Sequence, residues 1–263
     1  MKKSLALIIC FIIIGTGIAF AEPFQRHTLE LGAEISHITY REPDVMKEEG
    51  IMYGIAGSYA YRNNLMVKAE CRGSYGQVDY SNSGKINNID DYMVELRGLF
   101  GYDFFVSKSI LTPYTGLGYR YLNDDSSGRI STTGAYGYER ESNYIYSPLG
   151  IIITTPLENG WAIGITAEYD IFWWGKQISH LSDVDSGYND VENEQNEGYG
   201  VRGSIKVYKR IKNMDIAIEP FIRYWHIMKS EIADWTYYGT YIGYAYEPEN
   251  KSTEFGIKAS ITF

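Results

Sequence analysis

The sequence predicts an all-β protein whose antiparallel strands form an up-and-down, transmembrane β-barrel. Three observations support this prediction: apolar and polar residues alternate along most of the chain, charges lie inside the alternating segments, and short connections alternate with long ones. A period of two residues is typical of β-strands, because successive side chains point to opposite faces of the sheet. We expect ten strands, and the pattern is also compatible with eight or twelve.

The alternating segments are regular enough to be placed one by one. In the first, Leu29 and Leu31 alternate with Glu30 and Glu34, whereas residues 144–155 are apolar on both faces and give a strand without a defined phase. The ten predicted strands contain residues 28–36, 51–61, 65–72, 92–102, 114–121, 144–155, 161–171, 199–207, 216–225 and 254–263.

The connections between these strands differ in length in a regular way. The short ones are Asn63-Asn64, 103–110, 156–160 and 210–214, and the long ones are 41–50, 79–91, 123–142, 173–197 and 228–250. Short turns at one rim and long loops at the other are typical of outer-membrane barrels. In a soluble β-sandwich, apolar and polar residues also alternate. A sandwich, however, would carry charged residues on one solvated side only, and its apolar faces would not end in aromatic residues.

The start of the chain resembles an export signal. Within residues 1–21, two lysines precede an apolar run over residues 5–14, and Ala19 and Ala21 provide the small residues that a signal peptidase reads. The run is shorter than the ~20 residues that a spanning helix needs. We therefore expect cleavage after Ala21 and an outer-membrane barrel domain over residues 22–263.

Charge and cysteine content exclude some functions. The formal net charge is −9, and an acidic chain without a basic stripe is a poor ligand for nucleic acid. Cys71 is the only cysteine after the export signal, so we expect no disulfide within the chain. The predicted fourth loop is rich in carboxylates, but their spacing lacks the glycine of an EF-hand loop. We expect no metal site and no cofactor.

The charges on the second face of the strands are balanced. A charge-matched interior in a narrow barrel favours a lumen that is filled by salt-bridged side chains, since a selective pore more often carries charges of one sign. The predicted inward residues are the acids Glu30, Glu34, Glu70, Glu95, Glu168, Asp170, Glu219 and Glu254, and the bases Lys68, Arg72, Arg97, Arg120, Arg202, Lys206, Arg223 and Lys258.

The last strand resembles the C-terminal assembly signal of outer-membrane barrels. Phe255, Ile257, Ile261 and Phe263 share one face and end in an aromatic residue. The resemblance implies that the barrel assembly machinery, outer-membrane lipid and lipopolysaccharide are partners. Pro220 departs from the strand pattern, because it cannot donate a ladder hydrogen bond. We expect a β-bulge there.

Ten strands with five long loops resemble the architecture of the omptin proteases and the Opc adhesins. The omptin resemblance implies an acidic pair and an Asp–His pair at the outer rim, for which Asp90-Asp91 and His180 with Asp183 are the nearest matches. Their spacing differs from the family's Asp-x-Asp and Asp-x-His. His180 with Ser182 is similar to the His-x-Ser pair of lipid A deacylases, in which His activates Ser, but here the pair lies in a predicted loop.

The predicted fifth loop is rich in aromatic residues, namely Trp235, Tyr237, Tyr238, Tyr241 and Tyr244. Exposed tyrosines provide rigid contact area at a low entropic cost. The sequence therefore favours a non-enzymatic surface or adhesion protein with a plugged lumen that contacts an extracellular ligand. The alternatives are an enzyme of the outer rim, acting on peptides or lipid A, and a narrow channel for small solutes.

Overall fold

The computed structural model describes residues 25–263, and in this range the fold is all-β. The expected export signal over residues 1–21 lies outside the described residues. Between Gln25 and Phe263, no helix is long and apolar enough to cross a membrane. The strands are β1 (His27–Glu42), β2 (Met46–Asn63), β3 (Leu65–Ser81), β4 (Ile86–Tyr102), β5 (Phe104–Val106), β6 (Ser109–Asp125), β7 (Glu139–Pro156), β8 (Trp161–Ser179), β9 (Val191–Gln195), β10 (Gly198–Ile211), β11 (Met214–Ile227), β12 (Ala233–Tyr237), β13 (Thr240–Ala245) and β14 (Asn250–Thr262).

Ten long strands form a closed antiparallel barrel, as the sequence predicts. Their order around the barrel is β1, β2, β3, β4, β6, β7, β8, β10, β11 and β14. The barrel closes where β14 pairs with β1, in a register that places Glu34 opposite Lys258 and Ile35 opposite Ile257. Of the shorter strands, β5 pairs with β6, β9 pairs with β8, and β12 pairs with β13 as a separate hairpin.

The strands are longer than the sequence predicts at the rim that carries the longer loops. The expected loop over residues 41–50 shrinks to residues 43–45, because Arg41 pairs with Lys47 and Glu42 with Met46. Alternation of apolar residues stops where the wall leaves a hydrocarbon environment, but the backbone ladder continues. Apolar alternation therefore locates the central part of each strand and misses its polar extension.

Pro220 does not produce the bulge that we expected. On its two sides, Ile218 pairs with Ala259 and Ile222 pairs with Phe255 in one continuous register. The strand β11 passes through an exposed proline without an inserted residue, so only a ladder bond is missing. A bulge lies elsewhere, between β7 and β8 at Ile145 and Tyr146.

Side chains alternate between an exposed outer wall and a buried interior. On β1, Leu29 and Leu31 are 46% and 54% exposed, whereas Glu34 and Ser36 are 8% and 4% exposed. Apolar residues thus cover the outside and charged residues fill the inside, the reverse of a soluble protein. Such a wall is stable only against an apolar surrounding.

Phe263 lies beside the seam of the barrel, and its replacement tests the assembly-signal resemblance. Its backbone N–H donates to the Leu29 carbonyl at 2.9 Å, and its side chain is 48% exposed. We expect Phe263→Ser to lower the folded yield in the outer membrane several-fold, measured as the heat-modifiable band on gels. Phe105→Ser is the control. Phe105 is similarly exposed but lies on the short strand β5, away from the last strand, so this variant should leave the yield unchanged. Equal yields for the two variants would contradict the prediction.

Candidate functional site

A network of ion pairs crosses the interior of the barrel. Arg202 on β10 lies 2.7 Å from Asp170 and 3.2 Å from Glu168, both on the neighbouring strand β8. The same guanidinium donates to Glu95 on β4 at 2.8 Å and to the Tyr146 hydroxyl at 2.9 Å. Since β4 and β10 lie on opposite sides of the barrel, these contacts join the two walls.

The network continues from Glu95 to the strands β1 and β14, where the barrel closes. Arg72 donates to Glu95 and to Glu254, in both cases at 3.0 Å. Arg223 binds Glu254 at 3.2 Å and Glu34 at 3.1 Å. Each carboxylate therefore has at least one arginine within hydrogen-bond reach, which offsets the desolvation cost of burying the charge.

A second group of ion pairs lies toward the short turns. Lys258 binds Glu30 at 2.9 Å and Glu219 at 2.8 Å, and Lys206 also binds Glu30. A cavity of about 470 Å³ extends from these side chains to the residues of the short turns. The remaining predicted charges pair as Lys68 with Glu70, and Arg97 with Glu70 and Glu168.

Arg120 differs from the other predicted inward charges, because within residues 25–263 it makes no ion pair. Its Nε lies 3.2 Å from the sulfur of Met93, and its guanidinium stands over the rings of Trp225 and Tyr144 at 5.5 and 6.0 Å. Trp225 packs edge-on against Tyr146 at 4.9 Å. The rings of Tyr144, Tyr146, Phe172 and Trp225 form a buried aromatic layer next to the ion-pair network, and Ile227 belongs to the same buried cluster.

A further buried cluster lies at the rim of the longer loops, and the sequence analysis missed it. Arg140 contacts Glu42 and Glu247, and the Tyr40 hydroxyl oxygen lies 3.1 Å from an oxygen of each carboxylate. Burial raises the pKa of Glu247 to about 7, although the Arg140 charge opposes that shift. Glu42, Arg140 and Glu247 belong to predicted loops, so the sequence pattern gives no phase for their inward orientation.

The acidic pair expected at Asp90-Asp91 does not form. Asp90 is on the outer wall, where it accepts hydrogen bonds from the Tyr75 hydroxyl at 2.7 Å and from Gln77 at 3.1 Å. Asp91 is 8% exposed and faces the interior. Both residues belong to β4, and adjacent residues of a strand point to opposite faces. The two carboxylates are separated because this segment is strand rather than the predicted loop.

His180 makes two carboxylate contacts, and neither is to Asp183. Its Nδ1 lies 3.1 Å from Asp190 Oδ2, and its Nε2 lies 3.1 Å from Glu141 Oε1. Asp183 instead accepts a hydrogen bond from the backbone N–H of Glu139 at 3.0 Å. Burial lowers the pKa of His180, but the hydrogen bonds to Glu141 and Asp190 outweigh it and raise the pKa above the ordinary value.

Ser182 does not pair with His180 as the deacylase resemblance implies. Its hydroxyl donates to Asp190 Oδ1 at 2.6 Å, and its backbone N–H donates to the same oxygen at 3.1 Å. These two bonds and the contact with His180 hold the pKa of Asp190 below its ordinary value, although burial opposes the shift. The Ser182 hydroxyl is therefore directed at the Asp190 carboxylate and not at the His180 imidazole.

The aromatic fifth loop folds into the hairpin β12–β13. Its turn pairs Tyr237 with Thr240 and places Tyr238 and Gly239 at φ values of 44° and 75°. Positive φ at both central residues is the geometry of a tight two-residue hairpin turn. Tyr238, with 74% of its surface exposed, therefore stands at the tip of a defined turn.

The five predicted contact residues divide into two groups. Trp235 and Tyr237 pack against Tyr188 of the preceding loop, with ring centroids 5.4 and 5.0 Å apart. Tyr241 and Tyr244 are 59% and 61% exposed, like Tyr238 at the tip. The first group fixes the hairpin on the neighbouring loop, and the second is free for contact.

Solved structures of other proteins share this architecture. The outer membrane protease OmpT from Escherichia coli matches with a TM-score of 0.64 and 10% identity, over 90% of this chain and 96% of that one. The chain folds as an outer-membrane β-barrel. The translocator domain of the autotransporter NalP from Neisseria meningitidis matches with a TM-score of 0.47 and 10% identity, over 92% of this chain and 89% of that one. No family model and no curated protein matches the sequence.

In an outer-membrane β-barrel, the apolar outer wall faces lipid. Each rim residue can therefore be assigned to the outer or the inner side of the wall. On β7, Arg140 points inward to Glu42, so Glu139 and Glu141 point outward. His180, which contacts Glu141, is therefore on the outward side of the wall at the rim, while Asp91 faces the lumen. Asp91 and His180 therefore lie on opposite sides of the barrel wall.

Proposed function

We propose that this outer-membrane barrel is a non-enzymatic surface protein that binds an extracellular macromolecule through the hairpin β12–β13. The observation that carries the proposal is the exposure of Tyr238, Tyr241 and Tyr244 on a hairpin that is itself fixed. Tyrosine has few rotatable bonds and both apolar and polar surface, so it contributes contact area with little loss of entropy on binding.

The attachment of the hairpin supports a rigid binding surface. Asn189 of the preceding loop accepts a hydrogen bond from the Thr236 backbone N–H at 2.6 Å, and its side-chain amide donates to the Asp234 carbonyl at 3.1 Å. The Tyr238 backbone N–H donates to the Gly187 carbonyl at 2.7 Å. Because the loop is ordered before a partner arrives, binding does not have to order it.

Two further observations favour this proposal over the alternatives. The ion pairs from Arg202 to Glu95 and the aromatic layer around Trp225 cross the lumen, which disfavours a channel for solutes. At the rim, Asp91 and His180 lie on opposite sides of the wall, which disfavours an omptin-like peptidase. The Ser182 hydroxyl lacks a histidine partner, which disfavours a deacylase.

The hairpin can be tested by replacing Tyr238, Tyr241 and Tyr244 by serine in bacteria that display the barrel. We expect attachment to epithelial cell layers and to plates coated with matrix proteins to fall at least several-fold, because the exposed contact area is lost. The control Tyr136→Ser removes a tyrosine that is 59% exposed in another long loop. It should leave attachment intact, and both variants should remain heat-modifiable.

Two results would contradict the proposal. The first is equal attachment of the triple variant and the wild type. The second is turnover of a peptide or of lipid A by the wild type that His180→Ala abolishes, since this would make the protein an enzyme.

A further inference from the structure

His180, Glu139 and Glu141, none of which belongs to the hairpin, form a compact group of side chains on the outer wall. One ligand atom from each of the three residues lies within 4.8 Å of the others. The two glutamates are spaced by two on β7, so both side chains are on one face, and His180 follows β8, the next strand in the sheet. The group is therefore built on paired strands rather than on a mobile loop.

The orientation of the imidazole is fixed by a second layer of contacts. Asp190 accepts from Nδ1 of His180 at 3.1 Å, and Asp190 is in turn held by the hydroxyl and the backbone N–H of Ser182. With Nδ1 bound to Asp190, Nε2 is the ring nitrogen that can give up its proton and bind a metal ion. This carboxylate–histidine arrangement is typical of metal sites, where it orients the ligand and raises its basicity.

The other ring nitrogen, Nε2, is directed at the carboxylates. It lies 3.1 Å from Glu141 Oε1, and Glu139 is itself positioned by the side-chain amide of Asn123 at 2.5 Å. The side chains of His180 and Glu141 are each 24% exposed, so an ion can enter from solvent. The separation of Nε2 and Oε1 is close to the spacing of two atoms that share one metal ion with bonds of ~2 Å.

We propose that His180, Glu139 and Glu141 bind one divalent transition-metal ion, with zinc the best fit. One imidazole nitrogen and two carboxylate oxygens form a ligand set that suits zinc and disfavours calcium and magnesium, which take oxygen ligands. Three protein ligands leave a fourth position of a tetrahedral site open to solvent. The ion would join β7 to the end of β8 and stabilise the start of the loop over residues 180–190.

His226 provides a matched comparison within the same rim. Its Nε2 lies 2.8 Å from Glu249 Oε1, but Lys251 binds the same carboxylate oxygen at 2.9 Å. A lysine ammonium at that oxygen repels a second cation. His226 with Glu249 is therefore a histidine–carboxylate pair without the features of a metal site.

Zinc titration of the folded, tag-free barrel in detergent micelles tests the proposal by calorimetry. We expect saturable binding of one zinc ion per chain, with an affinity that falls roughly tenfold or more in His180→Ala and in Glu141→Gln. Asp190→Asn should weaken binding to a smaller extent, because it removes an orienting contact rather than a ligand. His226→Ala should bind zinc as the wild type does.

Cobalt provides a second readout, because its visible absorption reports nitrogen and oxygen coordination directly. Cobalt bound to the wild type should show bands that disappear in His180→Ala, in samples whose heat-modifiable band is unchanged. No saturable zinc binding by the wild type would overturn the proposal. Equal affinity in His180→Ala and the wild type would also overturn it, as would binding of calcium in preference to zinc.

Discussion

Replacing Arg202 by methionine should lower the free energy of unfolding of the barrel by about 3–5 kcal/mol. Arg202 is 8% exposed and binds Glu95 and Asp170, which are 2% and 0% exposed. Methionine keeps the volume of the side chain but removes its charge, so two buried carboxylates lose their main counterion. Such uncompensated burial is costly in an interior of low dielectric constant.

The loss can be measured by reversible urea unfolding of the barrel in lipid vesicles, followed by tryptophan fluorescence. Arg210→Met is the control, because Arg210 binds Asp215 at 2.8 Å on a side chain that is 43% exposed. Exposed pairs contribute at most about 1 kcal/mol. If Arg202→Met destabilised the barrel no more than Arg210→Met does, the ion-pair network would not be a buried structural element.

The wild-type barrel should show no steady conductance in planar bilayers, whereas the double variant Tyr146→Gly, Trp225→Gly should conduct ions. The two rings are 0% and 2% exposed and touch at 4.9 Å within the lumen. Their removal opens a cavity next to the ion pairs, and water that enters there weakens the pairs by screening. Ions can then pass between charged side chains that are no longer paired with one another.

The control for conductance is the double variant Tyr169→Gly, Tyr199→Gly. These rings also stack on each other, at 5.8 Å, but Tyr169 is on the lipid-facing wall and 47% exposed. This variant loses aromatic area of a similar kind without opening the lumen, and should not conduct. Large, steady single-channel currents from the wild type would contradict the filled lumen and favour a pore.

Alternation along the sequence predicts the barrel wall well, because strand period depends only on neighbouring residues. It assigns Leu31 to the outside and Glu34 to the inside from their spacing alone, and the structure places them so. The ten strands follow from the number of alternating segments, and their antiparallel order follows from short turns such as Asn63-Asn64. These are local features, which a single sequence contains.

The rim is less predictable, because its contacts join residues that are distant in the chain. The partners of His180 are Asp190 and Glu141, and the pairing with Glu141 depends on which residues of β7 and β8 lie opposite each other. The sequence analysis chose Asp183 for its nearness in the chain. Alternation carried on through residues 139–142 would have placed Glu139 and Glu141 on one face, which was the available signal.

Composition alone also does not predict which tyrosines of the hairpin β12–β13 are packed and which are exposed. Tyr237 and Tyr238 are adjacent and of one type, yet one packs on Tyr188 and the other is 74% exposed. The difference comes from the tight turn at Tyr238 and Gly239 and from the position of the preceding loop. Composition locates an aromatic surface, and three-dimensional packing determines which rings are free.

The pairing of β1 with β14 has a consequence for the order of folding. At this seam Glu30 lies opposite Thr262, so the two ends of the described barrel are joined by contacts of very long sequence separation. Loop-closure entropy makes such contacts slow to form. Until β14 is in place, β1 and β11 each have an unpaired edge that can pair with another chain. Closure of the seam therefore removes both edges in one step.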